Sequence, residues 1–175
     1  GKADIAIWRP AEGNWYIVNS GSGAVTALQW GASDDIPVAA DFDGDGKADI
    51  AIWRPAEGNW YIVNSGSGAV TALQWGASDD TPVAADFDGD GKADIAVWRP
   101  ADGNWYIVNS ASGAVTVQQW GAATDIPLAG DFDGDGKADI AVWRAADGNW
   151  YIVRSSDGGL TLTQWGGADD IPLTQ

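Results

Sequence analysis

The string GKADIA begins at Gly1, Gly46, Gly91 and Gly136, so the chain is a 45-residue unit written four times without insertion or deletion. The first two units differ at one position, Ile36 against Thr81. The later units drift modestly, as in Ile7 to Val97 and Val142, or Asn19 to Arg154. A period of this length marks a solenoid, a propeller or an array, whose units bury their apolar faces only against neighbours. It restricts function as well. A conventional active site gathers unlike groups, whereas this chain offers nearly the same groups four times. Such near-identity is the product of recent amplification or of engineering.

The 175 residues, 45% of them hydrophobic, can pack a core. Four quasi-identical units argue for a single domain over 1–175, with repeats 1–45, 46–90, 91–135 and 136–175. No apolar run approaches the roughly 20 residues that span a bilayer, so no membrane is expected as a partner. No charged-then-apolar leader opens the sequence, and any signal peptide is expected to be absent or already removed. Cysteine and histidine are both missing, which excludes disulfides and thiolate metal sites. The net charge of −16 repels a phosphate backbone and argues against nucleic acid as a partner. Acidic disordered chains lack aromatics, yet this one carries 12 Trp, three in each unit. The acid belongs to something organised.

Its placement is specific. Asp41, Asp43, Asp45 and Asp49 stand at positions 1, 3, 5 and 9 of a loop with glycines at 4 and 6. The pattern recurs as Asp86, Asp88, Asp90 and Asp94, and as Asp131, Asp133, Asp135 and Asp139. This is the oxygen-ligand spacing of a Ca2+ loop. Alternate side chains of a tight turn face one centre, and the carbonyl at position 7 (Lys47, Lys92 or Lys137) can join them. An EF-hand would need Glu at position 12, where Ile52, Val97 or Val142 stands instead. Mg2+ fits less well, because it keeps several waters and demands a stricter octahedron. A plain Asp-Gly turn would place the same residue types, but it would leave four carboxylates repelling one another. The fourth loop is split. Gly1-Lys2-Ala3-Asp4 supplies its second half, and no Asp-Phe-Asp-Gly-Asp follows Gln175, so a complete fourth site is not expected.

The rest of each unit reads as four short strands punctuated by Gly, Pro, Asn and Asp, with no sustained helical period. Around the second unit these are Pro82–Asp86, Ala48–Trp53, Asn59–Val63 and Val70–Trp75. Trp60 and Ile62 point to one face and Tyr61 and Val63 to the other, as a sheet covered on both faces requires. Four-stranded sheets stacked around an axis are propeller blades, so an all-β propeller of antiparallel blades, four per chain, is predicted. The small strand Pro37–Ala40 and its relatives suit the crowded axis, and Trp30, Trp75, Trp120 and Trp165 suit the wide outer gaps. Read around a ring, 171–175 would pair with 3–8, so the termini would share one blade and remove an exposed edge.

The string DFDGDGKADIAVWRP followed by GNWYIV resembles the FG-GAP/VCBS type of repeat, the Ca2+-loop blades of integrin-α heads and of many secreted bacterial proteins. The likeness covers the whole chain. It implies a loop between the first two strands of each blade, with the aspartates above and the lysine carbonyls as ligands. Rings of that family usually hold seven or eight blades. Either four blades close alone, or two chains share an eight-blade homodimeric ring. Closure within one chain avoids the cost of association, but it demands a 90° turn per blade, and the balance favours the homodimer.

Three functional readings follow. A non-catalytic structural or binding scaffold, for a protein ligand by analogy with integrin heads, comes first. The second is a multivalent lectin, since some fungal lectins of similar repeats hold sugars between blades. Its candidate residues are Trp8, Arg9, Asn14 and Trp15, then Trp53, Arg54, Asn59 and Trp60, then Trp98, Arg99, Asn104 and Trp105. Against it, propeller tryptophans commonly serve interblade packing, and such arginines pair with carboxylates. An enzyme would have to rely on paired acids such as Asp34-Asp35, Asp79-Asp80 and Asp169-Asp170, so none is expected. Millimolar Ca2+ outside cells makes a secreted location the expectation.

Overall fold

The structure, a computed structural model, describes residues 3–174. Gly1, Lys2 and Gln175, which belong to the split loop and the shared blade expected above, lie outside the described residues. The first sheet contains β1 (Ile5–Arg9), β2 (Asn14–Val18) and β3 (Val25–Gln29), with a 3-10 turn at Pro10–Glu12. Three four-stranded sheets follow. They are β4 (Ile36–Ala40) to β7 (Val70–Gln74) through β5 (Asp49–Arg54) and β6 (Asn59–Val63); β8 (Thr81–Ala85) to β11 (Val115–Gln119) through β9 (Asp94–Arg99) and β10 (Asn104–Val108); and β12 (Ile126–Gly130) to β15 (Leu160–Gln164) through β13 (Asp139–Arg144) and β14 (Asn149–Val153). Every pairing is antiparallel, in up-and-down order. These are propeller blades, and each four-stranded one begins near the end of one sequence repeat and runs into the next.

The small strands take the inner edge as expected. β4 lies against β8, and β8 against β12, so these strands file around the axis. Pro37 is tolerated there because an edge strand has ladder donors to spare. The register sets Trp53 beside Trp60 in the second blade, Trp98 beside Trp105 in the third and Trp143 beside Trp150 in the fourth.

The core lies between blades. Trp53, Trp60 and Trp75 of the second blade cover Ala84, Ile95, Val97 and Tyr106 of the third. Trp98, Trp105 and Trp120 of the third cover Ile140, Val142 and Tyr151 of the fourth. Each of these six indoles also finds an acceptor, as a buried N–H must. The Trp75 carbonyl accepts from Trp53 Nε1 at 3.2 Å and from Trp60 Nε1 at 3.1 Å. The indole of Trp75 itself crosses the gap and donates to the Tyr106 carbonyl at 3.0 Å. Trp30 donates likewise to the Tyr61 carbonyl at 3.0 Å, and Trp120 to the Tyr151 carbonyl at 2.9 Å.

One expectation differs from what is seen. Within a single copy, residues 171–174 form no strand, and the first sheet has three strands rather than four. The two ends of the blade series are therefore open. Trp105→Ala removes one of the sealed indoles and is expected to cost about 4 kcal/mol of unfolding free energy, read from the urea midpoint.

Candidate metal centre

The acidic loops join the innermost strand of a blade to the second strand. Asp41 follows β4 and Asp49 opens β5. Between them the chain reverses within a few residues, which requires left-handed backbone at Gly44 (φ 80°) and Gly46 (φ 82°). Asp41 supports the turn from inside. Its Oδ1 accepts from Gly44 N at 2.7 Å and Asp45 N at 3.1 Å, and its Oδ2 accepts from Gly46 N at 2.7 Å. Asp43 Oδ1 accepts from Asp45 N, and Asp45 Oδ1 from Lys47 N. Each carboxylate is thus held by backbone amides with lone pairs left over.

Asp49 does different work. It is fully buried, and its Oδ2 accepts from Phe42 N at 2.9 Å and Asp43 N at 3.2 Å. Its Oδ1 accepts from Ser65 N at 2.6 Å, tying the loop to the hairpin after β6. Asp94 repeats this with Phe87, Asp88 and Ser110, and Asp139 with Phe132 and Ser155. Burial pushes the Asp94 carboxyl above its ordinary value, against the pull of its Ser110 and Phe87 hydrogen bonds. In the first repeat Asp4 Oδ1 accepts from Ser20 N at 2.7 Å.

Three groups of carboxylates converge, with one oxygen of each residue within 4.8 Å of the others. They are Asp41, Asp43 and Asp45; Asp86, Asp88 and Asp90; and Asp131, Asp133 and Asp139. Asp49 and Asp94, read as ligands from their spacing, fall outside the first two groups, whereas Asp139, with amides likewise on both oxygens, joins the third. Asp135 falls outside the third and accepts from Ser155 Oγ and Lys137 N. Lys47, Lys92 and Lys137 are exposed, and the aliphatic stem of Lys92 passes over Gly44 and that of Lys137 over Gly89. Successive loops are also bonded, because the Asp41 carbonyl accepts from Ala93 N and the Asp86 carbonyl from Ala138 N, both at 2.7 Å. These bonds between loops of neighbouring blades carry no signal in sequence.

At the opposite end of each blade lies a polar rim. Arg54 forks onto Asp35, with Nε to Oδ1 at 2.8 Å and Nη2 to Oδ2 at 2.9 Å. Its guanidinium lies over the Tyr61 ring, and the Tyr61 hydroxyl donates to Glu57 at 2.7 Å. Asn59 donates to Glu57 and to the Tyr61 hydroxyl. Arg99 and Arg144 pair with Asp80 and Asp125 in the same fork. The hydrogen bonds they donate to Asp35, Asp80 and Asp125 raise all three arginines above their ordinary pKa.

The sugar-binding candidates divide accordingly. Trp53, Trp60, Trp98 and Trp105 are sealed between sheets and Trp15 nearly so, which leaves no ring face for a sugar to stack on. That part of the expectation is corrected, because packing covers these five rings. Trp8 is half-buried, Arg9 is exposed, and Asn14 bonds Glu12 and Tyr16. Asn104 bonds the Tyr106 hydroxyl, and Arg54 and Arg99 are committed to Asp35 and Asp80. Sequence reasoning missed Tyr61, Tyr106 and Tyr151, whose place beside the arginines depends on the β5–β6 register and its counterparts.

Stacked four-stranded blades with an acidic loop at each inner turn define a propeller-type repeat protein. The chain belongs to the FG-GAP-like repeat family, whose pattern matches residues 41–97 and 86–142. No curated protein matches the chain by sequence. Among solved structures it is similar to a catalytically inactive virginiamycin B lyase of Staphylococcus aureus with quinupristin. That likeness has 12% identity and a TM-score of 0.59, over 93% of this chain and 52% of the lyase. It is also similar to an Agrocybe aegerita lectin that recognises non-reducing terminal N-acetylglucosamine. There the identity is 19% and the TM-score 0.58, over 86% of this chain and 46% of the lectin. At these identities the likeness is one of fold, and the chain spans about half the length of either structure.

Two substitutions separate the roles within a loop. Asp49→Ala leaves three amides without an acceptor and is expected to cost roughly 3 kcal/mol even in chelator. Asp43→Ala is expected to cost under ~1 kcal/mol there. Urea titrations of both variants in chelator test this difference.

Proposed function

We propose that this chain is a non-catalytic binding scaffold stiffened by Ca2+, held in the loops of Asp41, Asp86 and Asp131. The observation that supports it is the convergence of three carboxylates in each of three loops, oriented by backbone amides. The donor set is all hard oxygen, gathered on a flexible turn, which suits Ca2+ better than Mg2+. The ion's part is to neutralise carboxylates that otherwise repel; the residues fix the turn and tie it to its neighbours. Two acid pairs that could have served an enzyme are committed elsewhere, since Asp35 and Asp80 are buried against Arg54 and Arg99. Sites of modest affinity fill at the millimolar Ca2+ found outside cells, so the scaffold is assigned to an extracellular setting. Its first partner is a second copy of the chain, completing an eight-blade ring.

At a dissociation constant near 10⁻⁴ M and millimolar Ca2+, each site adds about 1.4 kcal/mol, and three add ~4. The melting temperature is expected to rise by roughly 10 °C in Ca2+ relative to chelator, and by less in Mg2+. An unchanged melting temperature would overturn the metal's role.

One observation favours the lectin as a second reading. A cavity of about 280 Å³ opens between the third and fourth blades, lined by Gln119, Trp120, Val142, Arg144 and Tyr151. An aromatic wall beside Arg and Gln suits a sugar ring, and the residue types recur at each interface. On a glycan array this reading expects avid, multivalent binding that Arg144→Ala weakens. Silence across the array would reject it and leave the scaffold.

A further inference from the structure

The two open ends of the blade series are the two halves of one interface that the chain has already built three times. At the first end, Ile5 is 73% and Ile7 55% exposed, whereas Ile52, the counterpart of Ile7 in the second blade, is 1% exposed. β1 is exposed along almost all its length, while β5 is buried at four of six positions. At the other end Trp165 is 77% exposed, although Trp30, Trp75 and Trp120 all reach a tyrosine carbonyl of the next blade. No acceptor meets the Trp165 indole among the described residues.

The polar groups show the same incompleteness. Asp170 Oδ2 accepts from Gly167 N at 2.8 Å, as Asp35 Oδ2 does from Ala32 N, so the turn that presents its carboxylate is formed. The arginine that should grip it is absent from this end. Arg9 lies at the far end, over Tyr16 as Arg54 lies over Tyr61, but bonded to the exposed Glu12. β1 also lacks an inner neighbour, and Ile171 and Leu173, each 82% exposed, occupy the sequence positions of such a strand.

Resting on the self-association proposed above, we infer that two copies exchange their C-terminal strands reciprocally. Residues 171–174 of each copy form the innermost strand of the other copy's first blade. The register of the second blade places Ile171 beside Trp8, Pro172 beside Ile7, Leu173 beside Ala6 and Thr174 beside Ile5. Asp170 then receives Arg9 of the second copy, and Trp165 Nε1 reaches that copy's Tyr16 carbonyl. The occupant is a second copy because each open face has the residue types of an internal interface. Two copies match the scale of the solved structures of similar fold, of whose chains this one covers 52% and 46%. A head-to-tail contact closes into a ring when its rotation allows, and half a ring per chain allows it with two.

The chain has no cysteine, so a cross-link is clean. Ala6→Cys with Leu173→Cys, oxidised in Ca2+, is expected to give a covalent dimer of about twice the 18.2 kDa chain mass on a non-reducing gel. Val38→Cys with Ala51→Cys, the same register inside one blade, is the control and should link within the chain. A linked single chain would mean closure in cis, and a ladder of higher multiples an open filament; either overturns the exchange. A dimeric mass by light scattering without the 6–173 link also overturns it while leaving self-association standing. A single-chain mass for the unaltered protein overturns both, and the chelator melt judges the metal independently. As a second test, Arg9→Glu is expected to weaken association at least tenfold and Asp170→Arg in the same chain to restore it. An unmoved dissociation constant in Arg9→Glu would refute the Arg9–Asp170 contact.

Discussion

The fold depends on an indole that bridges neighbouring sheets. The tryptophan after the outer strand of one blade donates to a tyrosine carbonyl on the third strand of the next. Its own carbonyl meanwhile accepts from one or two indoles of its own blade. A flat apolar contact between sheets would tolerate sliding, because dispersion and burial have little direction. A hydrogen bond at about 3 Å does not. Three copies of this bond set the same relation between blades three times, and the curved series follows from that repetition.

The acidic loops add a second tie near the axis. In three loops a buried aspartate, Asp49, Asp94 or Asp139, satisfies two or three backbone amides and ties the loop to the hairpin that follows. Backbone bonds from Asp41 to Ala93 and from Asp86 to Ala138 pass that order from blade to blade. The remaining carboxylates are left crowded. A chain carrying −16 must either spread such charges or bring cations to them, and these loops keep them together. The forks of Arg54, Arg99 and Arg144 lie at the far end of the second, third and fourth blades, so both ends of those sheets are anchored.

Much of this was legible in the sequence. The period, the strand order and the small inner strand follow from residue types and spacing, and Asn59–Val63 was placed to the residue. The loop aspartates were recognisable too, but their division of labour was not. Asp43 and Asp49 differ in what surrounds them: Asp49 is buried by β5 and by a hairpin sixteen residues on, and no local pattern reports that. The tryptophans misled in one respect. Beside Arg and Asn they resemble a sugar platform, and only the closeness of the neighbouring sheet shows that Trp60 and Trp105 have no free face.

The sequence by itself determined that the chain is a repeated, all-β, acid-looped molecule, because alternation, glycine positions and carboxylate spacing act over a few residues. Only the tertiary structure decided which aspartates hold the loop shut, which aromatic rings are sealed, and that residues 171–174 find no partner strand within one copy. Those outcomes depend on distances between blades. Such distances arise from packing across the whole stack and have no signature in any single unit.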